Sequence, residues 1–480
     1  MKLLHCILAL GLAGSALARP ATEKPNVIVV LLDDCGYGDF SHTGNPGIHT
    51  PNVSRMVSEG ANFPQFYSAS PACSHSRYGI LTGRQPLRSG LKAWAIGPDA
   101  RRHIHLKEST LAEGLKEQGY ATAIFGKWHL GNPNEANGRT PDALPLAHGF
   151  DRWIGTNVSN DYEKGSNLIH GPSSGNEPAK GYDYLARNIA MNVPLQEGLT
   201  KRYADAAVGF IHEKKEVPFF IYMTPNMPHL PVHASDEFKG KSRRGLYGDC
   251  IQEIDHHIGR IRAAVREAGI EKNTLIILSS DNGPWIQFQD TASHKMHGEA
   301  RMRVGSALPF RDGKGSTWEG GQRVVGVWCW PGIIPAATVV QEPASALDVL
   351  PTVFALAGAR LPADRNIDGR DIRGLMGAGA LQGQVQDFKF IYADSTSVKA
   401  ARFGPWKIHT SLISQLKTDH GFAASEEKPL LFQVEQDFSE RIDRAGEQAE
   451  KMKEGKAVIA AFKESLAKER TFWDAGEAPN

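Results

Sequence analysis

Cysteine is scarce in this sequence: five in 480 residues, with Cys6 inside an apolar N-terminal stretch. The other four, Cys35, Cys73, Cys250 and Cys329, lie far apart. So few thiols exclude a disulfide-built scaffold, and their spacing is not that of a zinc site. Pairing among Cys35, Cys250 and Cys329 stays open at this point. An excess of one charge is also lacking. Lys and Arg number 54 against 53 Asp and Glu, a net charge of +1. Nothing there points to nucleic acid or to an acidic membrane surface, so a polyanionic ligand would have to be met by local basic residues. Long apolar runs are missing too. The stretch from Leu3 to Leu12 is too short for a span, which takes roughly 20 helical residues. With Lys2 before it and Ala16-Leu17-Ala18 after it, the stretch reads as an export signal over residues 1–18. No cysteine follows it for lipid attachment. The expectation is a periplasmic or secreted protein with no stable membrane association.

What is there suits a large folded chain. Hydrophobic residues are 41% and charged residues 22%, which allows a sizeable core. Short β-branched runs predict buried strands at 27–32, 121–125, 219–223, 275–278 and 324–330. Helical spacing predicts a helix started by Thr50-Pro51, one capped by Ser109 over 110–118, and longer ones over 199–215 and 245–267. Strands alternating with helices predict an α/β fold, a large and mostly parallel sheet sandwiched by helices. Past Gly369 the texture changes. Gly374, Gly377, Gly379 and Gly383 mark a loop. Runs at 388–393, 398–403, 406–411 and 430–434 then predict antiparallel strands, and 447–468 a closing helix. The expected division is a catalytic domain over 19–370 and a small C-terminal α+β subdomain with an antiparallel sheet over 371–480.

Ligands of an open α/β sheet sit beyond the carboxyl ends of its strands. Asp33-Asp34, Lys127, the segment 224–229 and Asp281-Asn282 each follow a predicted strand, so one rim collects them. Three carboxylates and an amide are hard oxygen donors, suited to Ca²⁺ or Mg²⁺ rather than Zn²⁺. A single acidic pair at a strand end is more often a turn cap; two pairs on one rim favour a metal.

The segment Pro71-Ala72-Cys73-Ser74-His75-Ser76-Arg77-Tyr78-Gly79-Ile80-Leu81-Thr82-Gly83-Arg84 is the most informative. Cys73 opens a short helix and Arg77 lies one turn on. Helix N-termini favour anions and acidify thiols. Taken alone, these residues fit a reactive thiol or a buried structural cysteine. The wider pattern resembles the type I, formylglycine-dependent sulfatases, in the arylsulfatase A-like branch of the alkaline phosphatase superfamily. Cys73, Arg77 and Leu81-Thr82-Gly83-Arg84 match that family's signature, with His75 where it carries Pro or Ala. Residues 25–34 with Gly36-Tyr37-Gly38-Asp39 resemble its opening strand and metal loop. Gly126-Lys127-Trp128-His129-Leu130-Gly131 resembles its second signature. Pro228-His229-Leu230-Pro231 is similar to its substrate-side histidine segment, and Ser280-Asp281-Asn282-Gly283 to its second metal pair. Residues 313–321 resemble its last sulfate-binding loop, and 400–407 its C-terminal hairpin.

The resemblance implies roles residue by residue. Cys73 would be oxidised during export to formylglycine by a maturation enzyme, and its hydrate would be the nucleophile. Asp33, Asp34, Asp281 and Asn282 would hold Ca²⁺. Arg77 would bond the diol and a metal carboxylate. Lys127 and Lys314 would bind sulfate oxygens, as would Ser159. His229 would protonate the leaving alcohol, and His129 would take the proton whose loss expels sulfate. The substrate would be a sulfate monoester on a small molecule or saccharide.

Two other readings stand beside this one. A phosphate-ester hydrolase of the same superfamily would need a Thr or Ser nucleophile and further His or Asp metal ligands, where this sequence has Cys73, Lys127 and Lys314. A non-catalytic binder of sulfated glycans would keep Cys73 as a thiol. Stretches 161–180 and 287–303, the latter with His294 and His297, are expected to line the specificity pocket. Their polar content fits a sugar, hence an exo-acting carbohydrate sulfatase.

Overall fold

The computed structural model describes residues 24–174, 181–286, 305–377, 381, 383–414 and 420–475. The expected export signal, the stretch 287–303 and residues 175–180 of the other pocket stretch lie outside the described residues. Among those described, no helix is long and apolar enough to cross a membrane.

Strand Asn26–Leu32 is buried at every position, so it needs cover on both faces. Its alternation divides it between two cores. Val27, Val29 and Leu31 join Tyr78, Leu81, Leu111, Leu115 and Phe354 on one side. Ile28, Val30 and Leu32 join Met56, Tyr203, Phe210, Ile254 and Ile258 on the other. Parallel neighbours flank this strand, Thr274–Ser280 on one edge and Phe219–Thr224 on the other. Ala121–Gly126 and Arg152–Thr156 extend the parallel run. Antiparallel strands finish both ends of the ten-stranded sheet, among them Gly326–Cys329 and Leu168–Gly171. The chain thus has the expected α/β architecture.

Differences from the sequence reading are local. The single strand expected over 324–330 is two. Gly326–Cys329 joins the large sheet, whereas Arg323–Val324 belongs to a three-stranded sheet with Phe66–Tyr67 and Ala344–Ser345. Gly326 sits at the switch, where a Cβ would come within 2.5 Å of Phe66. Thr110, not Ser109, caps Leu111–Glu117. Its hydroxyl accepts the Glu113 N–H while the Glu113 carboxylate accepts the Thr110 N–H. That capping box requires Glu three residues after the cap, which only Thr110 satisfies. Thr50 makes no side-chain cap for Pro51–Glu59; Asp255 supplies it from another helix. The four cysteines among the described residues are all free and buried, so Cys35, Cys250 and Cys329 form no disulfide.

Beyond the large sheet, Lys389–Ala393, Val398–Phe403, Trp406–His409 and Leu430–Gln433 form an antiparallel sheet. Helix Ala449–Lys468 covers it, placing Ile459, Met452 and Phe462 on Ile391, Phe403 and Ile408.

Candidate active site

Strand register builds the site. Leu32 pairs with Ser280, so Asp33 and Asp281 leave the sheet side by side. The Asp281 N–H donates to the Leu32 carbonyl at 2.9 Å, and the Asp34 N–H to Asp281 Oδ1 at 3.2 Å. Asp34 takes a left-handed backbone, φ 61°, which Asp tolerates better than most residues. Its Oδ1 accepts from Asn282 Nδ2 at 2.7 Å. Two adjacent parallel strands therefore bring all four oxygen-bearing residues to one point.

The next strand ends are laced to it. N–H groups of Lys127, Trp128 and His129 donate to the carbonyls of Thr224, Thr156 and Asn157 at 2.7, 2.8 and 3.0 Å. A Cβ at Gly126 would sit 1.9 Å from the Thr224 carbonyl, and its φ is 127°. Only glycine lets the chain leave the sheet there, and that exit aims Lys127. Lys127 Nζ donates to Asp33 Oδ2 at 2.6 Å and to Ser159 Oγ at 3.3 Å. From the far side, Lys314 Nζ donates to Asp34 Oδ2 at 2.7 Å.

Cys73 is the first residue of Cys73–Thr82, a helix buried at every position. Arg77, one turn on, faces the same way. Its Nη2 and Nε donate to Asp281 Oδ2 at 2.8 and 3.1 Å, and its Nη1 to the Lys127 carbonyl at 2.8 Å. Asp33 Oδ1 lies 3.6 Å from Nη2. The acidified thiol expected at a helix N-terminus is not what the surroundings produce. Burial raises Cys73 first, and Lys127 and Lys314 offset this only in part. As a thiol, Cys73 would be a poor nucleophile. His75 fits the helix interior, with Nε2 donating to the Leu91 carbonyl at 3.0 Å.

The two histidines differ. His229 Nδ1 lies 2.5 Å from the Leu230 carbonyl. A carbonyl only accepts, so Nδ1 carries the proton and Nε2 is the titrating nitrogen. That Nε2 stands 3.5 Å from both Asp34 Oδ2 and Ser159 Oγ. His129 has left-handed backbone, φ 57°, and its two buried ring nitrogens have no hydrogen-bond partner among the described residues. Burial, then the charges of Lys127 and Arg77, hold it well below the usual histidine range. It is a neutral imidazole.

Electrostatics and donor chemistry fit a hard cation. Burial opposes the charge of Asp33, but Lys127, His229 and Arg77 outweigh it and hold the carboxyl down. Burial and then the Asp33 charge push Asp281 up to about 7. Crowded carboxylates with opposed shifts accommodate a divalent ion that would keep them all ionised. Asp33 Oδ1 and Asn282 Oδ1 are buried without a hydrogen-bond partner among the described residues. A carboxylate oxygen each from Asp33 and Asp34 and a His229 nitrogen lie within 4.8 Å of one another. Oxygen donors of this kind suit Ca²⁺ or Mg²⁺.

The residues expected to act on sulfate and to hold the metal are therefore in one place, whereas His294 and His297 lie outside the described residues. Sequence reasoning named Asp161 only as the start of a variable stretch, and Tyr162 and Trp285 not at all. All three stand in the neighbourhood of Lys314. Lys314 Nζ lies 4.9 Å from the Trp285 ring centre. Position was the one available signal for Asp161, two residues after Ser159.

Known proteins resemble this chain in sequence and in fold. The family profile described as Sulfatase matches residues 25–359. N-acetylgalactosamine-6-sulfatase of Mus musculus is 36% identical over 85% of this chain and 75% of its own. Arylsulfatase A of Bos taurus is 36% identical over 90% of this chain and 84% of its own. The solved PsFucS1 sulfatase from Pseudoalteromonas sp. superposes with a TM-score of 0.79 at 26% identity, covering 93% of this chain and 91% of that one. With this site and these relatives, the chain belongs to the sulfatase family, enzymes that hydrolyse sulfuric esters.

Proposed function

We propose that this sulfatase is exported to the periplasm or medium and removes sulfate from a saccharide. It would use a formylglycine formed from Cys73 by a maturation enzyme, with Ca²⁺ held by Asp33, Asp34, Asp281 and Asn282. One observation carries the reading: Cys73 opens a buried helix among Lys127, Lys314, Arg77 and three carboxylates, yet burial keeps it a thiol. Such a site has everything for ester cleavage except a competent nucleophile, which the modification would provide. The saccharide part is supported by the name of the murine relative, an N-acetylgalactosamine-6-sulfatase.

When bound, the ion would place positive charge beside the nucleophile and a sulfate oxygen. The hydrated aldehyde would supply one hydroxyl for in-line attack on sulfur, and loss of the proton from the second would re-form the aldehyde and release sulfate together with the first oxygen. The chain's own residues do the rest. Lys127 and Lys314 approach from different loops and would take separate sulfate oxygens, meeting charge as it builds. Arg77, fixed to Asp281 and to the Lys127 carbonyl, would orient the side chain at 73. His229 keeps Nδ1 on Leu230 and would give its Nε2 proton to the leaving alcohol. His129, held neutral, would accept a proton from the side chain at 73. Ser159 would position Lys127 and contact sulfate.

Turnover of an aryl sulfate and an aryl phosphate, measured on protein made with the maturation enzyme, tests this. Sulfate turnover should exceed phosphate turnover, stop with a chelator, return with Ca²⁺ and vanish in Cys73→Ala. Phosphate preference, or activity that survives Cys73→Ala, would sink it.

A further inference from the structure

A negative charge sits inside a pocket built for an anion. The Asp161 carboxylate lies within the electrostatic reach of His229, Lys127 and Lys314, the groups assigned above to the ester. Burial works to raise its pKa, but His229, a hydrogen bond from Ser159, and the two lysines outweigh that and keep it ionised. Its Oδ1 is buried and has no hydrogen-bond partner among the described residues. An ionised carboxylate only accepts, and a covered acceptor without a donor is destabilising. It also repels the sulfate that the neighbouring lysines attract. Such a group is tolerated where a ligand brings the missing donor.

Its neighbours narrow the donor's chemistry. Tyr162 follows it, and its phenol lies within the electrostatic reach of Asp161, Cys73 and Lys314. Trp285 stands edge-on to His229 with ring centres 6.5 Å apart, and its face lies under Lys314. Two partly exposed aromatic rings and one acceptor thus share the neighbourhood of Lys314, and one of the rings also meets His229. Aromatic faces with a convergent acceptor suit the C–H face and hydroxyl edge of a sugar ring.

We infer that Asp161 determines specificity by accepting a hydroxyl of the sugar unit that carries the scissile sulfate. Its charge also disfavours a second sulfate at that hydroxyl. This deepens the saccharide reading above and rests on it. Hydroxyls of neutral sugars and of hexosamines share this chemistry, and a substrate panel separates them.

The test compares wild type, Asp161→Ala and Asp161→Asn on three substrates. These are monosulfated hexose and hexosamine monosaccharides, their deoxy analogues lacking a hydroxyl next to the sulfated carbon, and an aryl sulfate without hydroxyls. Asp161→Ala should lower kcat/KM on the favoured saccharide about 10- to 100-fold, the range for a hydrogen bond to a charged group. Its effect on the aryl sulfate should be at least about tenfold smaller. Removing the right hydroxyl should cost the wild type a similar factor and cost Asp161→Ala little, and Asp161→Asn should fall between. Equal losses on saccharide and aryl sulfate would overturn the inference, making Asp161 a support for the sulfate site. No loss on either would overturn it as well. If the wild type cleaves the aryl ester but no saccharide, the substrate class itself is wrong, a failure distinct from a flat Asp161 ratio.

Discussion

The Glu440 carboxylate accepts the Glu319 backbone N–H at 2.6 Å, and Lys407 Nζ stands 3.0 Å from the carboxylates of both. All three side chains are fully buried. Tyr67 and Tyr392 donate to Glu319 at 2.5 and 2.9 Å, and His409 Nε2 lies 2.8 Å from Glu440. Glu319 begins the short helix that follows the Lys314 loop, whereas Lys407 lies on strand Trp406–His409. The antiparallel sheet thus reaches through the protein to fix the loop that presents Lys314.

Lys407→Met removes the shared cation and leaves two buried carboxylates facing each other. Breaking a buried ion pair from one side costs about 3–5 kcal/mol. Urea denaturation should show a loss of that size. Adding Glu319→Gln should restore part of it, because one uncompensated charge is then gone. A single variant within about 0.5 kcal/mol of wild type, the scatter of ordinary surface substitutions, would disprove the clamp.

Helix Pro51–Glu59 depends on a cap supplied across the fold. Asp255 Oδ2 accepts the Asn52 N–H at 3.2 Å and Asn52 Nδ2 at 2.9 Å, and Oδ1 accepts the Val53 N–H at 2.8 Å. Asp255→Ala orphans two helix-end donors and should cost about 1–2 kcal/mol, read as a lower urea midpoint at unchanged slope. Asp255→Asn keeps one acceptor and should recover about half.

These two cases explain what was legible in the chain. Buried parallel strands were readable because uniform apolar runs such as 27–32 have few other fates. The site was readable because parallel strands deliver the residues after them to one rim, so Asp33 and Asp281 needed no further information. Thr110 was readable in principle from its Glu113 partner. The Asp255 cap and the Lys407 bridge were not, since each joins residues far apart in sequence through contacts that leave no local spacing. Short paired strands such as Leu168–Gly171 escaped for a related reason. They are ordered by their neighbour Arg152–Thr156 rather than by their own composition.

Acid stability should depend on His148. It is buried, stacks on Trp128 with ring centres 5.6 Å apart, and gives its Nε2 proton to the Asp142 carbonyl at 2.7 Å. Burial lowers its pKa from 6.5 to about 4. The folded state therefore holds fewer protons than the unfolded chain between those values, so stability rises with pH across that window. It is complete above 6.5, falls as pH drops towards 4, and is flat with respect to this group below that. A shift of this size is worth about 3 kcal/mol at most. His148→Phe keeps the stacking surface and should flatten the pH dependence of urea stability in this range. A variant that tracks wild type across the window would show that other groups carry the acid sensitivity.

Position 75 sets two demands against each other. In the folded protein, His75 is the third residue of helix Cys73–Thr82, is buried, and donates to the Leu91 carbonyl. Before folding, the same residue lies in the segment that the maturation enzyme would read, where Pro would pre-set the backbone and His does not. The first four N–H groups of a helix have no partner within it, so His75→Pro removes no helical hydrogen bond. It does delete the Leu91 contact and leave a void, costing roughly 1–3 kcal/mol. The expected outcome is a split. Mass spectrometry of the peptide containing residue 73 should show a larger aldehyde fraction in His75→Pro than in wild type when the maturation enzyme is limiting, while the purified variant unfolds at lower urea. Turnover normalised to aldehyde content should stay near wild type, because His75 touches none of the groups around the ester. An unchanged aldehyde fraction with lower stability would mean that His75 serves the fold alone.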